Sequence, residues 1–271
     1  MKLISICPSN TELVELLGLT DQLIAVDDFS DWPAQVKDLP QLGSDLSVDI
    51  DMIEKLQPDL VLASLSVPGM EKNVASLQQR NIPHIVLNAN SLEEIIEELE
   101  LIGRACHCEE KAAQVATSYR AKISELRAIA ATIDTPPTLY WEWWPNPIFT
   151  PGGVNWLTEI SELAGASNLF KDVELASVMT DFDDVCLRNP DYILLAWVGV
   201  AYERINTKVI EKRPGWTALN AWKNQHVYKM EEWLYCRPSP RLLQGAIQLA
   251  QRLHPHAYQE VSLPDFLVQT T

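Results

Sequence analysis

Residues 109–133 read EEKAAQVATSYRAKISELRAIAATI. The run holds neither glycine nor proline, is rich in Ala, Glu, Lys and Arg, and sets Val115, Tyr119, Ile123 and Leu126 at helical spacing. It predicts one helix of about six or seven turns, stopped by Thr135-Pro136-Pro137. In a chain of 271 residues, a helix of that length divides the sequence into an N-terminal and a C-terminal part.

The N-terminal part alternates short apolar runs with amphipathic stretches. Strands are predicted at Leu3–Cys7, Leu23–Val26, Asp59–Ala63 and Ile85–Leu87. Helices are predicted after Ser9 or Asn10 as cap up to Gly18, over Ile50–Leu56, over Met70–Arg80, and from a Ser91 cap with Glu94 three residues on. The C-terminal part repeats the rhythm. Strands open at Leu139–Trp141, Tyr192–Leu195 and Val227–Lys229, and helices run over Asn155–Ala164, up to Leu187, and from Pro240 to Leu253. The tail from Leu263 is expected to fray. The pattern is α/β throughout: an N-terminal lobe over residues 1–108, the long interlobe helix over 109–135, and a C-terminal lobe over 136–271. Each lobe is a parallel sheet flanked by helices. Such folds bind ligands at the carboxyl ends of their strands, and a cleft between lobes is a common pocket.

Bulk properties narrow the function. With 47% hydrophobic and 21% charged residues the chain reads as a globular protein, and no apolar run is long enough to span a bilayer. A formal net charge of −16 argues against nucleic acid as a partner. Met1 leads straight into the first strand, so no signal peptide is visible. As written the chain is expected in the cytoplasm, and in the periplasm or on a lipid anchor if a leader was removed. The five cysteines, Cys7, Cys106, Cys108, Cys186 and Cys236, have no regular spacing and read as reduced thiols. Cys106-His107-Cys108 lacks a second ligand cluster near in sequence, so no metal site and no intrinsic cofactor are predicted.

Candidate contacts lie in the strand-end loops. Pro8-Ser9-Asn10 offers amides at a helix start, with Ser9 and Asn10 as polar contacts. Phe29 and Trp32 follow the second strand, and Ser64 follows the third. The second lobe is richer. Trp141, Trp143 and Trp144 leave a strand and enter a proline-rich loop that carries Phe149. Alternation places Trp141 and Trp143 on one face. Trp197, Trp233, Tyr235 and Arg237 stand at two further strand ends. Rings left open in a cleft form a platform for a large planar guest, the alternative being that they pack under their own loops. Arg237 can pair with a ligand carboxylate or amide, or hold Asp31. The serine-hydrolase, phosphate-loop, dinucleotide and zinc-protease motifs are absent, so no catalytic residues are predicted and the chain reads as a binder rather than an enzyme.

Several blocks resemble, in order, the class III (helical-backbone) periplasmic substrate-binding proteins of the vitamin B12 and iron-chelate uptake type. They are residues 4–12 (ISICPSNTE), 29–33 (FSDWP), 53–61 (IEKLQPDLV), 146–150 (NPIFT), 164–170 (AGASNLF) and 237–241 (RPSPR). The resemblance covers nearly the whole chain. It implies two Rossmann-like lobes joined by a rigid helix, and a monomer that delivers cobalamin or a related corrinoid to an ABC permease. Haem or iron-siderophore cargo, and a cytosolic corrinoid or tetrapyrrole carrier or enzyme-associated subunit on the same fold, are the alternatives. It further implies ligand contacts at Phe29, Phe149 and Arg237, and permease-docking acids at Asp51 and Asp183. Asp45 and Ser177 stand where the B12 binders carry tryptophans, a departure that bears on which ligand is held.

Overall fold

The computed structural model describes residues 1–268. Two compact units divide the chain. The first holds Met1–Tyr119 together with Pro238–Pro240 and the described residues from Pro264, and the second holds Arg120–Arg237 and Arg241–Leu263. The division between the units falls inside the long helix, between Tyr119 and Arg120. The tail also differs from the expected frayed end, because Asp265–Val268 forms a helical turn that buries Phe266 and Leu267.

In the first unit the elements run β1 (Leu3–Ser5), α1 (Pro8–Leu16), β2 (Leu23–Val26), α2 (Ile50–Leu56), β3 (Leu60–Ser64), α3 (Glu71–Gln79), β4 (His84–Leu87), α4 (Leu92–Ala105) and α5 (Glu109–Ala130). The four strands form one parallel sheet in the order β2-β1-β3-β4. Ile4, Ile6, Val61, Ala63, Ile53 and Leu77 are buried in its core, as continuous apolar strands covered by helices require. Ser91 caps α4 by accepting from the Glu94 amide. At α1 the expected cap is corrected. Pro8, which has no N–H to leave unpaired, occupies the first turn, so Cys7 becomes the cap residue and Ser9 and Asn10 lie inside the helix.

The second unit contains β5 (Thr138–Glu142), β6 (Trp144–Pro145), β7 (Ile148–Pro151), α6 (Trp156–Leu163), β8 (Ser167–Asn168), β9 (Ser177–Thr180), α7 (Phe182–Arg188), β10 (Tyr192–Leu195), α8 (Asn220–Lys223), β11 (Val227–Lys229), α9 (Glu232–Tyr235) and α10 (Leu242–Leu253). A parallel sheet runs in the order β11-β10-β5-β8. The stretch after Glu142 read as a proline-rich loop is instead an antiparallel three-stranded sheet, β6-β7-β9, with Trp144 opposite Phe149 and Phe149 opposite Met179. Pro145 is tolerated because β6 is an edge strand, where no ladder hydrogen bond is lost on the outer side.

The two parallel sheets share a local device. The segments 49–63 and 181–195 each place an Asp cap (Asp49, Asp181), an acid two residues later (Asp51, Asp183), a left-handed C-cap (Gln57, Asn189), then Pro-Asp and a buried strand. The Asp of each Pro-Asp accepts an amide at the entry of the neighbouring strand: Asp59 from Lys2 at 2.7 Å and Asp191 from Thr138 at 2.9 Å. The same chemistry therefore locks strand register in both units.

Candidate ligand-binding site

In the first unit the loop after β2 is built on one buried carboxylate. Asp27 is fully buried. Its Oδ1 accepts the Phe29 amide at 2.8 Å and the Ser30 amide at 3.1 Å, and its Oδ2 accepts the Ser30 hydroxyl at 2.6 Å. Ser30 Oγ meets Thr11 Oγ1 at 2.7 Å, and Thr11 Oγ1 donates to Ser5 Oγ at 2.7 Å. This tight turn leaves the Phe29 ring 51% exposed; Trp32 is half-buried beyond it. Burial pushes the Asp27 carboxyl up to about 6, against the pull of the Ser30 and Phe29 donors. A carboxyl raised in the fold binds its proton more tightly there than in the unfolded chain. Its contribution is therefore fully present below the unfolded value near 4 and lost as pH rises through about 6. Asp27→Asn removes the charge and keeps an acceptor for the amides. The difference in unfolding free energy between the variant and the wild type is expected to grow in the variant's favour by about 2 kcal/mol from pH 4 to pH 7, read from urea titrations across that range.

Three polar candidates in this unit do not reach the surface. Ser9 lies against the Cys7 thiol at 3.3 Å, Asn10 donates its side-chain amide to the Leu62 carbonyl at 3.1 Å, and Ser64 bonds Ser66 at 2.9 Å. All three are buried, so their hydrogen bonds serve the sheet and the helix start.

In the second unit the tryptophans part ways. Trp141 and Trp143 each meet a buried partner of the lobe. Trp141 is completely buried, donates its indole N–H to Ser161 Oγ at 2.9 Å and packs against the tilted Tyr235 ring with centroids 5.3 Å apart. Tyr235 is buried and donates to the Gly245 carbonyl at 2.9 Å. Trp143 is half-buried, with its centroid 5.6 Å from that of Trp156, and its indole nitrogen is buried without a partner. Trp141 and Tyr235 are thus corrected from ligand contacts to core: an indole or phenol at a strand end adjoining α6 and α10 finds more apolar area inward than outward. Trp144 points the other way and is 43% exposed, its N–H held by the Asn146 carbonyl at 3.0 Å. Phe149, one strand over, is half-buried.

Trp197, half-buried at the end of β10, donates its N–H to Glu142 Oε1 at 3.0 Å. Glu142 is fully buried and also accepts the Tyr140 hydroxyl at 3.0 Å and both terminal nitrogens of Arg213, at 2.5 and 2.8 Å. The Arg213 guanidinium lies over the Trp216 ring at 4.4 Å and the Phe182 ring at 5.2 Å. Burial and the Glu142 charge hold the Tyr140 hydroxyl far above its ordinary range. Sequence reading missed this pair because 71 residues separate the partners; an Arg and a Glu between apolar strands were its only trace. Trp233 is half-buried with the Arg241 guanidinium over its ring at 4.2 Å. Arg237 is paired with Glu232 at 2.9 Å. Asp51 and Asp183 are both exposed in the first turns of α2 and α7, Asp51 in contact with Arg80 at 2.5 Å. Among the described residues, no cluster of three or more His, Cys, Asp or Glu is arranged to hold a metal ion, and the five cysteines are free thiols. No helix among them is long and apolar enough to cross a membrane.

The family profile described as periplasmic binding protein matches residues 3–233. The uncharacterized ABC transporter substrate-binding lipoprotein YvrC of Bacillus subtilis is 32% identical over 264 residues, which is 96% of this chain and 82% of that protein. The crystal structure of the periplasmic vitamin B12-binding protein of Vibrio cholerae superposes with a TM-score of 0.77 at 25% identity, covering 96% of this chain and 98% of the other. Haem-bound IsdE of Staphylococcus aureus shares the fold with a TM-score of 0.83, over 93% of this chain and 98% of the other, at 17% identity.

Proposed function

We propose a cargo and a partner for a chain that belongs to the periplasmic binding protein family: it is the substrate-binding component of an ABC-type importer, and it carries cobalamin or a related corrinoid. The observation that carries the reading is a pair of open rings at strand ends, Phe29 after β2 and Trp144 after β5, each fixed by polar contacts within its own unit. A side chain that stays exposed while its loop is rigid is prepaid for binding, since little conformational entropy remains to be lost. Flat apolar faces suit a macrocycle. Names among the relatives support the same reading, as vitamin B12-binding proteins and a substrate-binding lipoprotein. A lipoprotein relative also supports action outside the cytoplasmic membrane.

An acidic siderophore would call for free cations, whereas Arg237 is already engaged by Glu232. The test is a fluorescence titration with cobalamin, cobinamide, haemin and a ferric hydroxamate, which the nine tryptophans make sensitive. Saturable one-to-one quenching by a corrinoid is expected. Saturation by haemin or the hydroxamate alone would replace the cargo, and no saturation by any of them would remove the function.

The repeated acid of α2 and α7 supports a partner with matching basic residues. Asp51 and Asp183 hold equivalent places in the duplicated segments, and the exposed contact of Asp51 with Arg80 is too weak to tie it down. Reversing both charges, Asp51→Lys with Asp183→Lys, is expected to weaken association with the permease by at least about tenfold, mainly in the on-rate, with ligand affinity unchanged. Surface plasmon resonance on the permease in nanodiscs reads both quantities, and an unchanged on-rate would exclude these acids from docking.

A further inference from the structure

We propose that Asp27 is the positioning residue for the Phe29 ring: a buried carboxylate that sets the loop after β2 and so decides whether that ring is presented to a ligand. The claim rests on the reading of Phe29 as a ligand-facing ring. It adds a residue that touches no ligand and acts through the backbone.

Three donors converge on Asp27, and two of them are the amides of Phe29 itself and of Ser30. Those amides have no strand to pair with, so the carboxylate takes the place of a β-partner and bends the chain outward at Phe29. The second oxygen ties the turn to the body of the lobe. Through Ser30, Thr11 and Ser5 a line of buried hydroxyls runs to the Cys7 carbonyl at the start of α1. The ring position is thereby slaved to the sheet and to α1.

The arrangement is also sensitive to protonation. A neutral carboxyl accepts more weakly than a charged one, and a protonated Asp27 can donate to Ser30 Oγ, which then turns its own hydrogen to Thr11 Oγ1. The titratable groups that act on Asp27 are Asp45, from the turn before α2, and the Cys7 thiol, at the end of β1 and itself pushed up to about 11 by burial. Asp28 flanks it on the same loop and is occupied in accepting the Gly43 amide at 2.9 Å. Neither Asp45 nor Cys7 brings positive charge to the site, so Asp27 is the group expected to change state on mild acidification.

The test combines a ligand-free and a ligand-bound arm. In the wild type, the amide proton shifts of Phe29 and Ser30 are expected to titrate together with a midpoint near pH 6, and Asp27→Asn is expected to abolish that midpoint while keeping both amides slow to exchange. Asp27→Ala, which removes the acceptor, should speed exchange at both amides by about tenfold or more, the equivalent of one lost hydrogen bond. With cobinamide as probe, Asp27→Ala and Phe29→Ala should each weaken binding, and the double variant should be no weaker than Phe29→Ala alone. Unchanged exchange in Asp27→Ala, or no common midpoint in the wild type, overturns the proposal, as does a double variant whose losses multiply. If the wild type binds no probe, the corrinoid reading fails by itself, and the exchange and titration arm then decides the role of Asp27. Should Asp27→Ala not fold, the wild-type titration against Asp27→Asn decides it.

Discussion

Arg213→Met is expected to destabilise the second unit by about 3–5 kcal/mol. The substitution keeps a long apolar stem for the Trp216 and Phe182 rings to rest on but removes the charge that neutralises Glu142. Both partners are nearly or wholly inaccessible, with 4% of the Arg213 side chain and none of the Glu142 side chain exposed. Left alone, the carboxylate keeps only the Tyr140 and Trp197 donors, two neutral bonds in place of two charge-assisted ones. It must then either stay charged in an apolar surround or take up a proton, and either course lowers stability. The loss should be far smaller in Glu142→Gln with Arg213→Met, since the buried charge is then gone from both sides. Denaturant unfolding followed at the tryptophans reads the difference. A loss below about 1 kcal/mol would mean that water already reaches the pair. The variant has a local signature as well, because Trp197 is held at its strand end by the same carboxylate.

Gly152→Ala is expected to cost about 3 kcal/mol or more, at the upper end for forced overpacking. The reason is steric and not conformational, since Gly152 is absent from the glycines with positive φ. A Cβ built there runs into the Leu175 carbonyl oxygen and lies 2.7 Å from the Val173 carbonyl oxygen and 2.9 Å from the Val178 side chain. Two of these obstacles are backbone and cannot rotate away. Gly153 is confined in the same manner, 2.6 Å from the Lys171 carbonyl. The pair lets the chain from Lys171 to Thr180 close over the end of β7, which lays β9 beside the strand that carries Phe149. Gly18 is the control. Its φ is +71° but a Cβ there meets nothing within 4 Å, so Gly18→Ala should show only the smaller penalty of a left-handed residue, about 1 kcal/mol. Melting temperatures of the two variants separate the cases, and equal shifts would argue against a close approach at Gly152.

Much of the fold was legible because its determinants are local. The glycine-free run at residues 109–133 forms α5, ending three residues early at Ala130. The apolar runs at Leu60, Tyr192 and Val227 form parallel strands, and the Ser91 cap bonds as its spacing predicts. The site was less legible, for physical reasons that differ by residue. Alternation cannot say which side of a strand is inward, and Ser161 and Tyr235 took Trp141 inward while Trp156 took Trp143. Prolines at 145, 147 and 151 masked the β6-β7-β9 sheet, since the strand signal depends on residues that donate to a ladder. Asp27 looked like any acid in a polar turn; what sets it apart is its burial beneath the Phe29 and Ser30 donors, with Thr11 behind Ser30, a property of three dimensions. Glu142 and Arg213 were invisible for the same reason.

Equilibrium dialysis of cobinamide and cobalamin against the wild type and the Phe29→Ala, Trp144→Ala double variant bears most directly on how this protein works. Both rings lie on the surface, so their removal should leave the melting temperature within a few degrees. One corrinoid bound per chain is expected for the wild type, and an affinity at least about tenfold weaker for the variant, the loss of at least one ring contact of about 1.5 kcal/mol. Equal corrinoid affinity in the two proteins, or none in either, would contradict the account.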